Sequence, residues 1–255
     1  MSKIYALAAS ILINLFLTAT ITQAAVSLKL QVSLKPEHLG QGTTVGFNLH
    51  IIPRTSPIPP PLTEVNVSYP GDLGIGLSEI GLATCPVTTL ETDGPTGCPA
   101  EAQMGYGSVL AEILLAGEII QEHATLEVLR AATQEGNISL YFYAHGSTPI
   151  SDEIVFPGAL LPAEPPFGER LHIDVPLVPS VPEAPYISVA QIHGTLGPQH
   201  LTYYHHIRHK LVAYNPQGIL LPKHCPQGGF WFKAQLKFLD NTQAETSASV
   251  PCPHS

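Results

Sequence analysis

The sequence has little charge and lacks the patterns of helical and nucleic-acid-binding proteins. Charged residues make up 12% of the 255 residues, about half of the usual share. Long amphipathic blocks of helix-forming residues are missing. Only 11 Lys and Arg stand against 20 Asp and Glu, and the one basic cluster is the short stretch 208–210. Because phosphate contacts need clustered basic side chains, we expect no nucleic-acid partner.

Motifs for cofactor chemistry and nucleophilic catalysis are also missing. The segment GLSEI (76–80) has Ile80 where a nucleophile elbow needs glycine. Gly105-Tyr106-Gly107 lacks the third glycine of a dinucleotide-binding loop. ETDG (91–94) is too sparse for a calcium loop. We therefore expect no cofactor, and the sequence favours a non-enzymatic protein.

The first 24 residues have the pattern of a secretory signal peptide. Lys3 precedes the apolar run IYALAASILINLFL, and TQA (22–24) supplies small residues for cleavage. The mature chain would begin at Ala25 and carry 10 Lys and Arg against 20 Asp and Glu, a net charge of −10. No apolar run of about 18 residues follows, so we expect no transmembrane segment after signal removal. We predict secretion through the general secretory pathway.

Alternating apolar residues predict an all-β fold. Residues 26–34 place Val26, Leu28, Leu30, Val32 and Leu34 on one face, and 44–51 alternate in the same way. With 25 Pro and 21 Gly between such segments, the sequence predicts about a dozen short strands. We expect one antiparallel, disulfide-stapled β-sandwich over 25–255, immunoglobulin-like or jelly-roll-like. The alternative is two smaller sandwiches divided near 157–170.

The four cysteines are an even number in a chain predicted to be exported, which favours disulfides. Of three connectivities, we favour Cys85 with Cys98, around the turn-forming TDGPTG, and Cys225 with Cys252, around a hairpin that turns at 240–241. A zinc site would need two closely spaced pairs, and a redox C-x-x-C is missing. Gly105 and Gly107 then predict a bulge or a close backbone approach.

Histidines are concentrated near the C-terminal third of the chain, and six of the twelve lie between residues 193 and 224. Candidate metal ligands are His193, His200, His205 and His209. On a strand, His205 and His209 would share a face but lie about 13 Å apart, too far for one ion. We therefore favour a solvated loop rich in His and Tyr over a metal site.

Carboxylates supply the candidates for a hydrolase, which needs two of them across a cleft. Those available include Glu79, Glu91, Asp93, Asp152, Glu153, Glu164, Glu169 and Asp174. We favour the interpretation that these carboxylates belong to solvent-exposed residues in turns. The aromatic cluster Phe230, Trp231, Phe232 and Phe238 is expected in the core, the alternative being a carbohydrate-binding platform.

The segments GLATCP, GCPAEAQMGYGSV and CPQGGFWFKAQLKFLDNTQAETSASVPCP resemble a group of exported bacterial proteins common in actinobacteria. The resemblance implies a secreted β-sandwich and no particular activity. The leading hypothesis is a secreted or cell-surface protein that binds an extracellular ligand or a cell-envelope component, or has a structural role. A secreted hydrolase acting on polysaccharide or ester is the first alternative, and a His-rich metal-binding protein is the second.

Overall fold

A computed structural model describes residues 25–148, 151–180 and 185–253; the predicted signal peptide lies outside these ranges. The strands are β1 (Val26–Lys35), β2 (Gly42–Pro53), β3 (Leu62–Tyr69), β4 (Gln103–Leu115), β5 (Glu118–Arg130), β6 (Ser139–Thr148), β7 (Glu153–Pro162), β8 (Glu169–Asp174), β9 (Ser188–Leu196), β10 (Tyr203–Ile207), β11 (Lys210–Tyr214), β12 (Ile219–Leu220), β13 (Phe230–Phe238) and β14 (Gln243–Val250). One α-helix, α1 (Val87–Asp93), is followed by 3-10 turns at Pro95–Gly97 and Ala100–Ala102. Within the described ranges, no helix is long and apolar enough to cross a membrane.

Twelve of the strands form one antiparallel sheet, in the order β1-β2-β9-β4-β5-β6-β7-β8-β3-β13-β14, with β12 beside β2. The edge strands β1 and β14 have Cα atoms within 8 Å of each other. The sheet therefore curves back on itself, and the two halves of its inner face lie opposite each other. The predicted all-β antiparallel fold is confirmed. Its two layers come from one curved sheet, and β10 and β11 form a separate hairpin.

The main core lies inside the curve and follows the alternation of the sequence. In β13, Phe230, Phe232 and Phe238 are buried while every second residue is more exposed. β1 buries Val26, Leu30 and Leu34 in the same way, and the packed cluster extends across the sheet. Full burial of one such side chain stabilises the fold by about 1.5–3 kcal/mol, so the alternation fixes which face of each strand turns inward. Trp231 is the exception to the prediction, because it points outward and is 46% exposed.

A second, smaller core covers part of the outer face. Leu90 of α1 packs with Leu129, Tyr143 and Ala102 beside Cys85. The disulfide between Cys85 and Cys98 holds this segment, with Cα atoms 5.2 Å apart. The sequence predicts the turn between these cysteines but not the helix α1 that precedes it. A seven-residue helix with one buried side chain is too short to show a helical period.

Both predicted cysteine pairings are confirmed. The Cα atoms of Cys225 and Cys252 are 5.9 Å apart, at the open end of the β13–β14 hairpin. That hairpin turns where the sequence predicts: Asn241 has a positive φ of 64°, and Asp240 accepts hydrogen bonds from the backbone N–H and hydroxyl of Thr242. None of the four cysteines is free, so no thiolate is left for zinc.

One further segment differs from the prediction. Residues 203–207 form β10 where a loop was expected, because Arg208 and His209 make a two-residue turn with positive φ values of 47° and 67°. The sequence shows no Asn-Gly or Asp-Gly signal there. The segment 157–170, named as an alternative domain boundary, contains most of β7 and the start of β8, which pair directly at Leu160 and Leu171.

Candidate functional sites

An apolar cavity of about 240 Å³ lies inside the curved sheet. Its wall is made of inward-facing side chains from strands on both sides of the curve. They include Phe47, Leu126, Phe142, Phe156, Ile173 and Ile192. Phe142 and Phe156 stack with ring centroids 5.4 Å apart. The wall therefore presents almost entirely hydrocarbon.

The cavity exists because small residues occupy inward positions of the central strands. Ala124 of β5, Ala144 of β6 and Gly194 of β9 all line it. Gly194 pairs with Phe47 and so shares its inward face. A Cβ atom added at Gly194 would meet nothing within 4 Å, which shows that the space begins at this residue.

Two acidic residues lie at one part of the cavity wall. Glu122 of β5 is buried, and its Oε1 accepts a hydrogen bond from the backbone N–H of Ser147 at 3.0 Å. Asp152 also lines the cavity, and its carbonyl accepts from the backbone N–H of Gly146 at 2.9 Å. Because Gly146 and Ser147 are adjacent, these two acidic residues mark the same end of the cavity.

A polar cleft of about 460 Å³ lies on the outer face, beneath the disulfide-held segment. α1 and the turn after it supply one wall. Strands β5, β6 and β7 supply the floor, where Thr125, His145 and Glu153 form one cross-strand row. Glu127 and Tyr143 form the next row. Of the described residues that line this cleft, none is lysine or arginine.

Hydrogen bonds tie the polar groups of the cleft together. His145 Nδ1 lies 3.3 Å from Glu153 Oε1, and the hydroxyl of Tyr143 donates to Glu153. Burial, this hydrogen bond and the nearby carboxylates raise the pKa of Tyr143 to about 12. Glu127 accepts from the Gln103 amide at 2.9 Å, and burial raises the pKa of its carboxyl. The two glutamates thus lie in different surroundings within one cleft.

The structure brings together only some of the acidic residues proposed from sequence. Asp93 and Glu153 line the cleft, and Asp152 lines the interior cavity. Glu169 instead accepts from the Tyr69 hydroxyl at 2.8 Å, and Asp174 lies 3.4 Å from His172. Glu127, Tyr143 and His145 were not singled out. In the sequence, they appear only as polar residues two positions apart on the outer face of a strand. This pattern is too common to identify a site.

The candidate histidine ligands lie on different elements. His193 is on β9 and His205 on β10, where its ring centroid is 4.7 Å from that of Tyr214. His200 faces Tyr106 at 5.8 Å, and His209 is in the hairpin turn. Among the described residues, no group of three or more His, Cys, Asp or Glu side chains is placed to hold a metal ion.

The chain matches no protein-family model, no curated protein and no solved structure. Its function must therefore be inferred from the geometry of the cavity, the cleft and the exposed surface.

Proposed function

We propose that the chain is an exported, non-enzymatic binding protein that holds a small apolar molecule in the cavity of its curved sheet. The observation that carries this proposal is the apolar cavity itself, lined by Phe47, Phe142 and Phe156. The signal-like segment 1–24 supports export, and so do the two disulfides.

The size of the cavity supports a binding role over loose packing. Protein interiors are packed about as densely as organic crystals. An unfilled cavity lowers the free energy of unfolding by about 24 cal/mol per Å³, which amounts to about 6 kcal/mol for a volume of about 240 Å³. That is comparable to the entire free energy of unfolding of many domains. A ligand that fills the space restores these contacts, whereas water has almost no polar partners on such a wall.

The wall also indicates the class of ligand. A cavity of roughly 150 Å³ lined by apolar side chains binds benzene, so about 240 Å³ suits a somewhat larger hydrocarbon-like molecule. The buried carboxylate of Glu122 at one end disfavours an anionic head group by like-charge repulsion. The preferred ligand is therefore uncharged, which distinguishes this site from one for fatty acids.

Titration with the neutral fluorescent probe N-phenylnaphthylamine tests the proposal. We expect saturable binding, and we expect Gly194→Leu to abolish it by filling the cavity while raising the thermal stability. His193→Leu is the matched control, because it adds the same side chain to the outer face of the same strand. Equal binding by Gly194→Leu and the unsubstituted protein would show that the probe does not enter this cavity.

A hydrolase remains a second candidate, favoured by the outer cleft. Glu127, with its raised pKa, has the character of a proton donor, and Glu153 on a neighbouring part of the floor is the second carboxyl. Turnover of nitrophenyl glycosides tests this function. If it is present, Glu127→Gln and Glu153→Gln should each lower kcat by a hundredfold or more, whereas Glu91→Gln, outside the cleft, should not.

A further inference from the structure

The β10–β11 hairpin is the most exposed element of the described chain. It pairs only with itself, and all residues from Tyr204 to Ala213 are exposed. Its root is fixed by Tyr203, which is fully buried. The Tyr203 hydroxyl donates to the carbonyl of Gln103 and accepts from the backbone N–H of Gly81. The hairpin is thus anchored at its base and uncovered along its length.

Large apolar side chains lie on this uncovered part. They are 37% to 60% exposed and comprise Tyr204, Ile207, Leu211 and Val212. A two-stranded hairpin alone is marginally stable in water, and four large apolar side chains exposed on one short hairpin differ from the singly scattered apolar residues that are normal on a protein surface. The hairpin therefore has a surface that a partner would cover.

The charge of the hairpin is opposite to that of the rest of the protein. Arg208 and Lys210 lie at its turn, and no Asp or Glu occurs between 203 and 214, in a chain with a net charge of −9. Glu101 contacts the hairpin at its base, where its Oε1 accepts from the backbone N–H of Tyr204 at 3.1 Å. The outer part of the hairpin thus complements an anionic surface.

The apolar residues are distributed over both faces of the hairpin. Because His205 pairs with Val212 and Ile207 with Lys210, Ile207 and Val212 share one face. Tyr204 pairs with Ala213, and Leu211 pairs with His206, so Tyr204 and Leu211 share the other face. A folded protein partner covers one face of a hairpin, whereas lipid surrounds an inserted hairpin on both.

We propose that the β10–β11 hairpin docks on a bilayer that contains anionic lipids. The apolar side chains enter the boundary between head groups and acyl chains, and Arg208 and Lys210 extend to the phosphates. This inference does not rest on the proposed cavity function, because the hairpin residues do not line the cavity.

Co-sedimentation of the purified protein with vesicles tests the inference. We expect binding to phosphatidylcholine vesicles that contain phosphatidylglycerol, weaker binding to pure phosphatidylcholine, and weakening by salt. Two variants address the two contributions: Ile207→Ser with Leu211→Ser, and Arg208→Gln with Lys210→Gln. Each juxtamembrane basic residue contributes about 1 kcal/mol, so the second variant should lower the partition coefficient roughly thirtyfold.

Matched controls use the same residue types elsewhere on the surface. Ile52→Ser with Leu77→Ser removes exposed Ile and Leu side chains outside the hairpin, and Lys29→Gln with Arg54→Gln removes two exposed basic groups; all should bind normally. No binding to anionic vesicles, or equal losses in hairpin and control variants, would overturn the inference. So would self-association in sedimentation velocity that the hairpin substitutions abolish without vesicle binding, which would assign the hairpin to a second copy of the chain.

Discussion

The backbone at Gly105 lies directly against the carbonyl oxygen of Thr195, so that a Cβ atom added at Gly105 would be 2.0 Å from that oxygen. This contact is between the backbones of neighbouring strands β4 and β9. It coincides with an irregularity in the β4–β5 register between Gln103 and Gly105. Of the two alternatives predicted from the glycine pair at 105 and 107, a bulge or a close backbone approach, the close approach is confirmed.

We predict that Gly105→Ala lowers the free energy of unfolding by about 1–3 kcal/mol, the usual cost of adding a group to a well-packed site. The obstacle is backbone, which cannot rotate away as a side chain can. Urea unfolding would report this as a lower midpoint. Gly194→Ala is the control, because its added methyl group meets nothing within 4 Å, and we expect its midpoint to stay level or rise. Equal midpoints for the two variants would contradict the structure.

The fold was predictable where local pattern and tertiary environment agree. The alternating residues of β1 and β13 turn the same face inward along their whole length, because period-two alternation leaves one choice of buried face. Pro157 shows where the pattern misleads. It lies within β7 opposite Tyr141, although a residue without an N–H argues against a central strand.

The candidate sites were much less predictable, because they depend on strand order. Glu127 and Glu153 are separated along the chain and come to one cleft only because β6 lies between β5 and β7. Gly194 gives no sign of a cavity until Phe47 is placed beside it. The two disulfides were accessible from sequence, since each closes a short local segment around a turn.

The disulfide between Cys225 and Cys252 should contribute more to stability than a surface contact. The chain-entropy account gives about 3.5 kcal/mol for a loop of this length. We therefore expect Cys225→Ser with Cys252→Ser to lower the free energy of unfolding by about 2–5 kcal/mol, measured by urea denaturation. Intact mass after alkylation without reductant provides the direct check: incorporation of four alkyl groups would contradict both disulfides, and incorporation of two would contradict one of them.

Stability should fall at high pH through Tyr203. Burial raises the pKa of its hydroxyl to about 12, aided by Tyr214 and Glu101 and opposed by the hydrogen bond from Gly81. The pKa of Tyr203 in the folded state lies above its value near 10 in the unfolded state. Below pH 10 the hydroxyl is protonated in both states, and the protein keeps its full free energy of unfolding. Between pH 10 and 12 the unfolded state loses this proton more readily, so the free energy of unfolding falls. Thermal unfolding between pH 8 and 12 should show a shallower decline in Tyr203→Phe, whereas the exposed-residue control Tyr186→Phe should follow the unsubstituted protein.

The carboxylate at the end of the cavity should select against anionic ligands. At an effective dielectric constant near 20, two unit charges about 8 Å apart repel by about 2 kcal/mol, which corresponds to roughly thirtyfold in affinity. Glu122→Gln keeps an oxygen to accept from the Ser147 N–H and removes the charge. We therefore expect it to tighten binding of anilinonaphthalene sulfonate at least tenfold and to leave N-phenylnaphthylamine binding within twofold. Asp152→Asn is the comparison, because its side chain is exposed and its charge is screened, so its effect should be smaller. If the substitution changed the affinity for both probes by the same factor, Glu122 would affect binding through the shape of the cavity and not through its charge.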